Sequence, residues 1–148
     1  MNYPKIENRE YLQRVNALRA EMAKRGVDLV VGFSNLLEIG IVRYYSGFAP
    51  VNESAAIVIP LEGQTVVCSG QASYDYCLVQ NSLPESRIAI LPEIGEVSGF
   101  EYDTEGQLDF EELFQNDFLY QGILSKLNVY MYSTSNETTV HSLCISHY

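Results

Sequence analysis

The sequence has 148 residues, 47% of them hydrophobic and 19% charged, which fits one globular domain with its own core and excludes a disordered chain. The net charge is −10, and seven of the nine basic residues lie between Lys5 and Arg43, so the chain lacks the extended basic stripe of a nucleic-acid-binding protein. Nine acidic residues and no basic ones occupy 93–117, which we interpret as a solvated face, with a site for a cation or a basic partner as the alternative.

The first predicted element is a helix that begins at Arg9, with Asn8 as its cap and Gly26 as its stop. Four apolar residues recur at helical spacing and predict one buried stripe: Tyr11, Val15, Leu18 and Met22. The valine-rich run VDLVVGF follows at 27–33 and predicts a buried strand.

A second helix is predicted after this strand, capped by Ser34 or Asn35. Leu36, Ile39 and Arg43 would share one side of it. Two β-rich runs, 54–60 and 65–69, come next. The turn between them, Leu61-Glu62-Gly63-Gln64, has a Glu-Gly centre, so the two runs predict a hairpin.

The remaining pattern alternates helix and strand. A helix is predicted over 71–82, with Ala72, Tyr76, Val79 and Leu83 on one side. A strand at 86–92, a loop at 93–106, a helix at 107–124 and a strand at 127–132 complete the series. Helices that alternate with strands predict an α/β layer fold, and the hairpin makes the sheet mixed.

The catalytic motifs that we sought are missing from the sequence. The only histidines, His141 and His147, lie in the last eight residues, and no serine lies in a G-x-S-x-G elbow. Neither glycine-rich phosphate-binding pattern occurs. His141, Cys144 and His147 form H-x-x-C-x-x-H, whose spacing does not match a usual zinc site, so we interpret them as incidental, with a transition-metal site as the alternative. The neighbouring carboxylates Glu111 and Glu112 do not face each other on a helix and are interpreted as surface.

Cellular location is indicated by what the chain lacks. No stretch approaches the roughly 20 apolar residues of a membrane span, and the polar start of the sequence is not a secretory signal. Three cysteines, Cys68, Cys77 and Cys144, form no disulfide framework and fit a reducing compartment. We therefore expect a cytoplasmic protein with no membrane partner.

The order of motifs between residues 9 and 132 resembles the N-terminal domain of creatinase/prolidase-type (X-prolyl) metallopeptidases. That family begins with an R-x-x-x-L-R-x-x-M helix, a G-x-D strand, an S-x-x-N turn and an R-Y-L-T-G-F-like segment. The similar positions here are Arg14, Leu18, Arg19, Met22, Gly26, Asp28, Ser34, Asn35 and the run RYYSGF from Arg43 to Phe48. The run AAIVIPLEGQTVVCSG is similar to the family's L-x-V-P-x-x-G-x-x-x-L hairpin.

The resemblance implies a mixed sheet of about five to six strands flanked by helices on both faces, with a ribonuclease-H-like topology. It implies a non-catalytic domain at 1–132, whereas 133–148 is an atypical, unassigned tail. The family's two divalent metal ions are held by two Asp, one His and two Glu of a separate C-terminal domain, none of which maps onto this chain, so no cofactor is expected here. The expected partners are that catalytic domain and a second copy of the chain in a homodimer.

The resemblance also implies a role for the loop after RYYSGF. In dimeric members, such a loop can approach the active site of the other subunit. Phe48, Pro50, Asn52 and Glu53 are therefore the candidate interface or substrate-gating residues. The alternative is that Phe48 belongs to the core and the rest is an ordinary surface loop. For the whole chain, the alternatives are a stand-alone α/β binding module with an acidic interaction face and, last, a self-contained hydrolase.

Overall fold

A computed structural model describes residues 6–95 and 109–113 with their surroundings, and the strands at 127–132 and 139–143 by their backbone. The six strands are β1 Leu29–Ser34, β2 Ala55–Pro60, β3 Val66–Ser69, β4 Arg87–Ile90, β5 Leu127–Tyr132 and β6 Thr139–Leu143. The α-helices are α1 Asn8–Arg25, α2 Gly40–Ser46, α3 Tyr74–Gln80 and α4 Phe110–Leu113. Two 3₁₀ turns, Gln71–Ser73 and Pro92–Ile94, precede α3 and follow β4.

The strands form one mixed sheet in the order β4-β3-β2-β1-β5-β6. β1, β2 and β3 pair antiparallel, so the predicted hairpin is confirmed, and its turn contains Gly63 at φ 104°. β4 is parallel to β3 and β5 is parallel to β1, as expected where helices connect the strands. β6 is antiparallel to β5 and falls in the segment that the sequence left unassigned.

Helices and turns cover both faces of the sheet. Alternate residues of each strand point to opposite sides, so each strand contributes side chains to both faces. On one side Ala55, Ile57 and Ile59 of β2 pack with residues of α1, α2 and α3. On the other side Ala56 and Val58 pack with Ile94 and with Leu113 of α4. The predicted α/β class, a mixed sheet between helical layers, is confirmed.

Helix α1 agrees with its prediction. Tyr11, Val15 and Met22 are buried, and Gly26 closes the helix in the left-handed conformation (φ 63°) with its N–H bonded to the Met22 carbonyl. The predicted cap was wrong by one position: Glu7 occupies the N-cap and makes no side-chain capping bond.

The second helix begins later than predicted. Asn35 accepts hydrogen bonds from the amides of Leu37 and Glu38, both at 2.9 Å, and so forms a turn instead of a helix cap. Leu36, which was predicted to share one side of the helix with Ile39 and Arg43, therefore lies before the helix and is 64% exposed. Helix α2 begins at Gly40, and the Ser34 hydroxyl accepts a hydrogen bond from its Val42 amide.

The predicted side of α3, with Ala72, Tyr76, Val79 and Leu83, is not one buried face: of the four only Leu83 is buried, and it lies after the helix ends at Gln80. Val79 is 85% exposed and Tyr76 is half exposed, whereas Ser73 and Cys77 face the core. The sequence pattern alone could not choose between these faces, because both present small or apolar residues at helical spacing.

Several predictions fall wholly or partly outside the described residues. Of the predicted loop at 93–106 only residues 93–95 are described, and of the helix at 107–124 only 109–113. Cys144 and His147 also lie outside, while His141 lies in β6 opposite Val129. In the part of the chain that the structure describes, no helix is long and apolar enough to cross a membrane.

Candidate functional site

The segment RYYSGFAP forms the end of α2 and the start of a loop that runs from Gly47 to Ser54, hereafter the 47–54 loop. Gly47 has φ 83°, and its N–H bonds to the Arg43 carbonyl at 2.9 Å. A Cβ at this position would lie 3.1 Å from both the Gln80 carbonyl oxygen and the Tyr11 hydroxyl. Glycine therefore permits both the left-handed turn and the close approach of α1 and the end of α3.

Phe48 anchors the beginning of the 47–54 loop. Its side chain is fully buried in the cluster that contains Tyr11, Val15 and Ile57. The Ser46 hydroxyl donates a hydrogen bond to the Val42 carbonyl at 2.7 Å and accepts one from the Phe48 amide at 3.2 Å. The serine thus satisfies the backbone at the point where the helix ends and the chain turns inward.

The 47–54 loop is tied to both ends of α3. The Ala49 amide donates to the Gln80 side-chain oxygen at 3.1 Å, at the C-terminal end of the helix. The Ser73 amide donates to Glu53 Oε2 at 3.1 Å, immediately before its N-terminal end. The loop and α3 consequently form one structural unit, so a displacement of one would also displace the other.

Glu53 is the unusual residue of this unit, because it is a carboxylate that is 1% exposed. A Cβ on Gly70 would lie 2.3 Å from its Oε2 and 2.9 Å from its Oε1, so the carboxylate rests against a backbone that only glycine leaves open. A Cβ on Gly95 would lie 3.4 Å from Oε1. The amide of Ser73 donates a hydrogen bond to one of its oxygens.

Three buried polar atoms in this region have no hydrogen-bond partner among the residues that the structure describes: Glu53 Oε1, Ser69 Oγ and Ser73 Oγ. Buried polar groups are normally paired, and an unpaired one is costly. Because Glu53 is almost completely buried, it cannot act as a base on a substrate at the surface. Its contacts indicate that it holds the loop against the start of α3.

The four candidate residues of the loop therefore differ in position. Phe48, Pro50 and Glu53 are buried, and Asn52 is exposed beside the exposed Val51. The sequence did not indicate the partners Gly70 and Ser73 of Glu53. The only local signal was a Ser-Gly pair directly after a strand, and such a pair commonly ends a strand without contacting any carboxylate.

The tyrosines of RYYSGFAP pack α2 against α1. The guanidinium of Arg14 lies 4.4 Å from the centre of the Tyr44 ring, and its Nη1 donates to the Tyr44 carbonyl at 2.6 Å. Arg14 also forms an ion pair with Glu10. Tyr45 contacts the Tyr44 ring edge-on, and burial, together with Tyr44, raises the pKa of the Tyr45 hydroxyl. These are packing contacts and not a proton-transfer arrangement.

The side chains of Cys68 and Cys77 are buried thiols. Burial raises the pKa of Cys77 to about 12, so its nucleophilic thiolate is scarce at neutral pH. Within residues 6–95, 109–113 and the two outer strands, no group of three or more His, Cys, Asp or Glu could hold a metal ion. The described part of the chain therefore does not supply a metal-binding set like the one expected of the family's catalytic domain.

Comparisons with known proteins give matches in structure alone. No protein-family model matches the sequence, and no curated protein matches it. The structure is similar to dipeptidase PepE from Mycobacterium ulcerans, with a TM-score of 0.54 and 13% identity, over 88% of this chain and 30% of that chain. This chain thus spans less than a third of that dipeptidase, and the likeness shows a shared fold.

Two isolated N-terminal domains are also among the matches. The creatinase/prolidase-like N-terminal domain of a protein from Corynebacterium diphtheriae assigned as a metallopeptidase has a TM-score of 0.48 and 19% identity, over 84% of this chain and 96% of that chain. The N-terminal domain of cytoplasmic peptidase PepQ from Mycobacterium tuberculosis H37Rv has a TM-score of 0.43 and 26% identity, over 53% of this chain and 55% of that chain.

Proposed function

We propose that this chain is the N-terminal, non-catalytic domain of a metal-dependent X-prolyl dipeptidase or aminopeptidase. It would act in the cytoplasm with a catalytic C-terminal domain that contains the two divalent metal ions. The observation that carries the proposal is the fold shared with PepE over 88% of this chain but only 30% of that dipeptidase. Fold alone does not fix function, and the motif order from Arg14 to Phe48 supplies the second support.

The same proposal gives the 47–54 loop a part in substrate access and dimer contacts. Asn52 is the candidate whose side chain is exposed, so it would meet the catalytic domain or a second subunit. Phe48 and Glu53 would fix the loop from beneath through the core and through the Ser73 amide. The exposed Tyr76 and Val79 of α3 would extend this surface, since the loop is tied to both ends of that helix.

The transcript that encodes this chain offers the first test. We expect its reading frame to continue into a segment with two Asp, one His and two Glu as metal ligands. A stop codon directly after this domain, with no neighbouring frame that encodes those ligands, would contradict the proposal that the chain is one domain of a metallopeptidase.

The role of the loop is tested in the enzyme that contains both domains. Asn52→Trp should raise KM for an X-prolyl dipeptide because it enlarges the exposed side chain of the loop, while the thermal midpoint should remain unchanged. Asn16→Trp on the exposed face of α1 is the matched control. Equal KM values for both variants and the wild type would show that the loop does not take part in substrate access.

Self-association is a separate expectation. Sedimentation analysis of the chain should show a dimer that Val79→Lys weakens and Arg25→Gln leaves intact. A monomer at every concentration would contradict the dimer part of the proposal and leave the assignment to the peptidase fold untouched.

A further inference from the structure

A cavity of about 250 Å³ lies between the middle of α1, the turn of the β2–β3 hairpin and the connection from α3 to β4. Its apolar wall is formed by Leu12, Val15, Leu83 and Pro84. Its polar part includes Arg19 and Glu85. The lining is about half polar and half apolar, so the cavity suits a ligand that has both kinds of surface. Its volume is slightly below the roughly 300 Å³ at which pockets for drug-sized ligands begin.

Arg19 is a half-buried cation without an acidic partner among the described residues. Its Nε donates to the Pro60 carbonyl at 2.9 Å. Its Nη2 donates to the Gly63 carbonyl at 2.6 Å and to the Thr65 hydroxyl at 3.4 Å. These three neutral oxygens hold the guanidinium in one orientation, and no described residue accepts a hydrogen bond from Nη1, which can therefore donate to a ligand.

The surroundings of Arg19 favour an anionic ligand. Partial burial lowers the pKa of Arg19, since desolvation disfavours its charge, yet a guanidinium stays protonated at physiological pH. A cation that is fixed, partly desolvated and not neutralised by the protein gains more from a carboxylate than a mobile surface lysine would.

Glu85 places a negative charge at the rim of the same cavity. It is exposed, and its backbone has φ 61°, a conformation that is uncommon for residues other than glycine. The Gln64 side-chain amide donates to the Glu85 carbonyl at 2.9 Å and so helps to fix this turn beside the hairpin. A carboxylate at the rim disfavours a multiply charged anion and favours a ligand that also contains a cation.

We propose that this cavity binds a small amphoteric molecule of the α-amino-acid class with an apolar side chain. Its carboxylate would pair with Arg19, its ammonium group with Glu85, and its side chain would contact Leu12, Val15 and Leu83. The site lies on the domain itself, so the proposal does not depend on the catalytic domain or on the peptidase assignment.

Three related compounds test the ligand class, with binding followed by amide chemical shifts of the purified chain. L-Leucine should shift the amides of Gly63, Gln64, Thr65 and Glu85 in a saturable way at millimolar concentration. 4-Methylpentanoate lacks the ammonium group and should bind roughly two- to fivefold more weakly, the range for a partly exposed ion pair. 3-Methylbutylamine lacks the carboxylate and should not bind measurably.

Two variants and one control variant test whether Arg19 and Glu85 pair with the charged groups of the ligand. Glu85→Gln should weaken L-leucine and strengthen 4-methylpentanoate until the two bind alike. Arg19→Lys keeps the charge but loses the planar guanidinium with its paired N–H donors, hereafter the guanidinium fork. This variant should bind L-leucine roughly tenfold more weakly while its spectrum remains that of a folded protein. Arg25→Gln, on the same helix but away from the cavity, should bind as the wild type.

Several results would overturn the proposal. The absence of saturable shifts with L-leucine, or shifts confined to residues outside the cavity, would refute the site. Equal affinities of the wild type for L-leucine and 4-methylpentanoate would refute the amphoteric class. Wild-type affinity in a folded Arg19→Lys variant would refute the part assigned to the guanidinium fork.

Discussion

Gly70→Ala tests whether the buried carboxylate of Glu53 holds its loop in place. Gly70 has φ −71° and ψ 169°, which alanine adopts freely, so the backbone alone predicts a gain of about 0.4–1 kcal/mol from the less flexible unfolded chain. The added Cβ would, however, lie 2.3 Å from Glu53 Oε2, and the carboxylate would have to move. Moving it breaks the hydrogen bond from the Ser73 amide and leaves buried polar groups unpaired, a loss of about 1–3 kcal/mol. The net expectation is a loss of between about 0 and 2.6 kcal/mol.

The free energy of unfolding is measured by urea denaturation and far-UV circular dichroism, since the chain has no tryptophan. Gly40→Ala is the control, because a Cβ there meets nothing within 4 Å, and it should stabilise the protein slightly. In a Glu53→Ala background, Gly70→Ala should change sign and stabilise the protein. Equal effects of Gly70→Ala in the wild type and in the Glu53→Ala variant would contradict this prediction, because additivity means that the two residues do not interact.

Phe48→Ala should lower the free energy of unfolding by roughly 3–5 kcal/mol, as expected for a fully buried aromatic residue. Val79→Ala on the exposed face of α3 should change it by less than about 0.5 kcal/mol. A small effect of Phe48→Ala in the same denaturation series would contradict its place in the core. Cys77 should react with iodoacetamide at pH 8 only as fast as the chain unfolds, as peptide mapping would show, and rapid modification of the native protein would contradict its burial. Because the folded pKa of Cys77 is raised to about 12, its contribution to stability is complete below the ordinary thiol pKa of about 8.5 and is lost as the pH rises toward 12, so the wild type should lose more stability over that interval than Cys77→Ala.

Much of the fold could be predicted from the sequence because its signals are local. The stripe of α1 and its closing Gly26 predicted a helix that the structure confirms. The β2–β3 hairpin was predicted from two β-rich runs around a Glu-Gly centre. Each signal depends on residues that are close in the chain, so periodicity and turn chemistry suffice.

The predictions were wrong at residues whose local sequence is compatible with two different structures. Asn35 can cap a helix or form a turn, and the turn prevails because its side chain bonds the amides of Leu37 and Glu38. On α3, the apolar Val79 lies outward because the sheet is covered by the smaller Cys77 and Ser73. Only the tertiary packing decides between such alternatives.

The environment of Glu53 could not be predicted for another reason. Its partners Ser73, Gly70 and Gly95 are 17 to 42 positions away in the sequence and meet it only after the sheet forms. A glutamate beside an asparagine in a loop is ordinarily exposed. The cavity beside Arg19 likewise joins α1, a hairpin turn and a later connection, and no pattern within one element indicates it.

Hydrolysis of an X-prolyl dipeptide with added Mn²⁺ should be measured for this chain alone and for the enzyme that contains both domains. We expect no turnover by the 148 residues alone and metal-dependent turnover when the catalytic domain is present. Metal-dependent turnover by this chain alone that persists through repeated purification would show that the domain is itself catalytic and would contradict the proposed function.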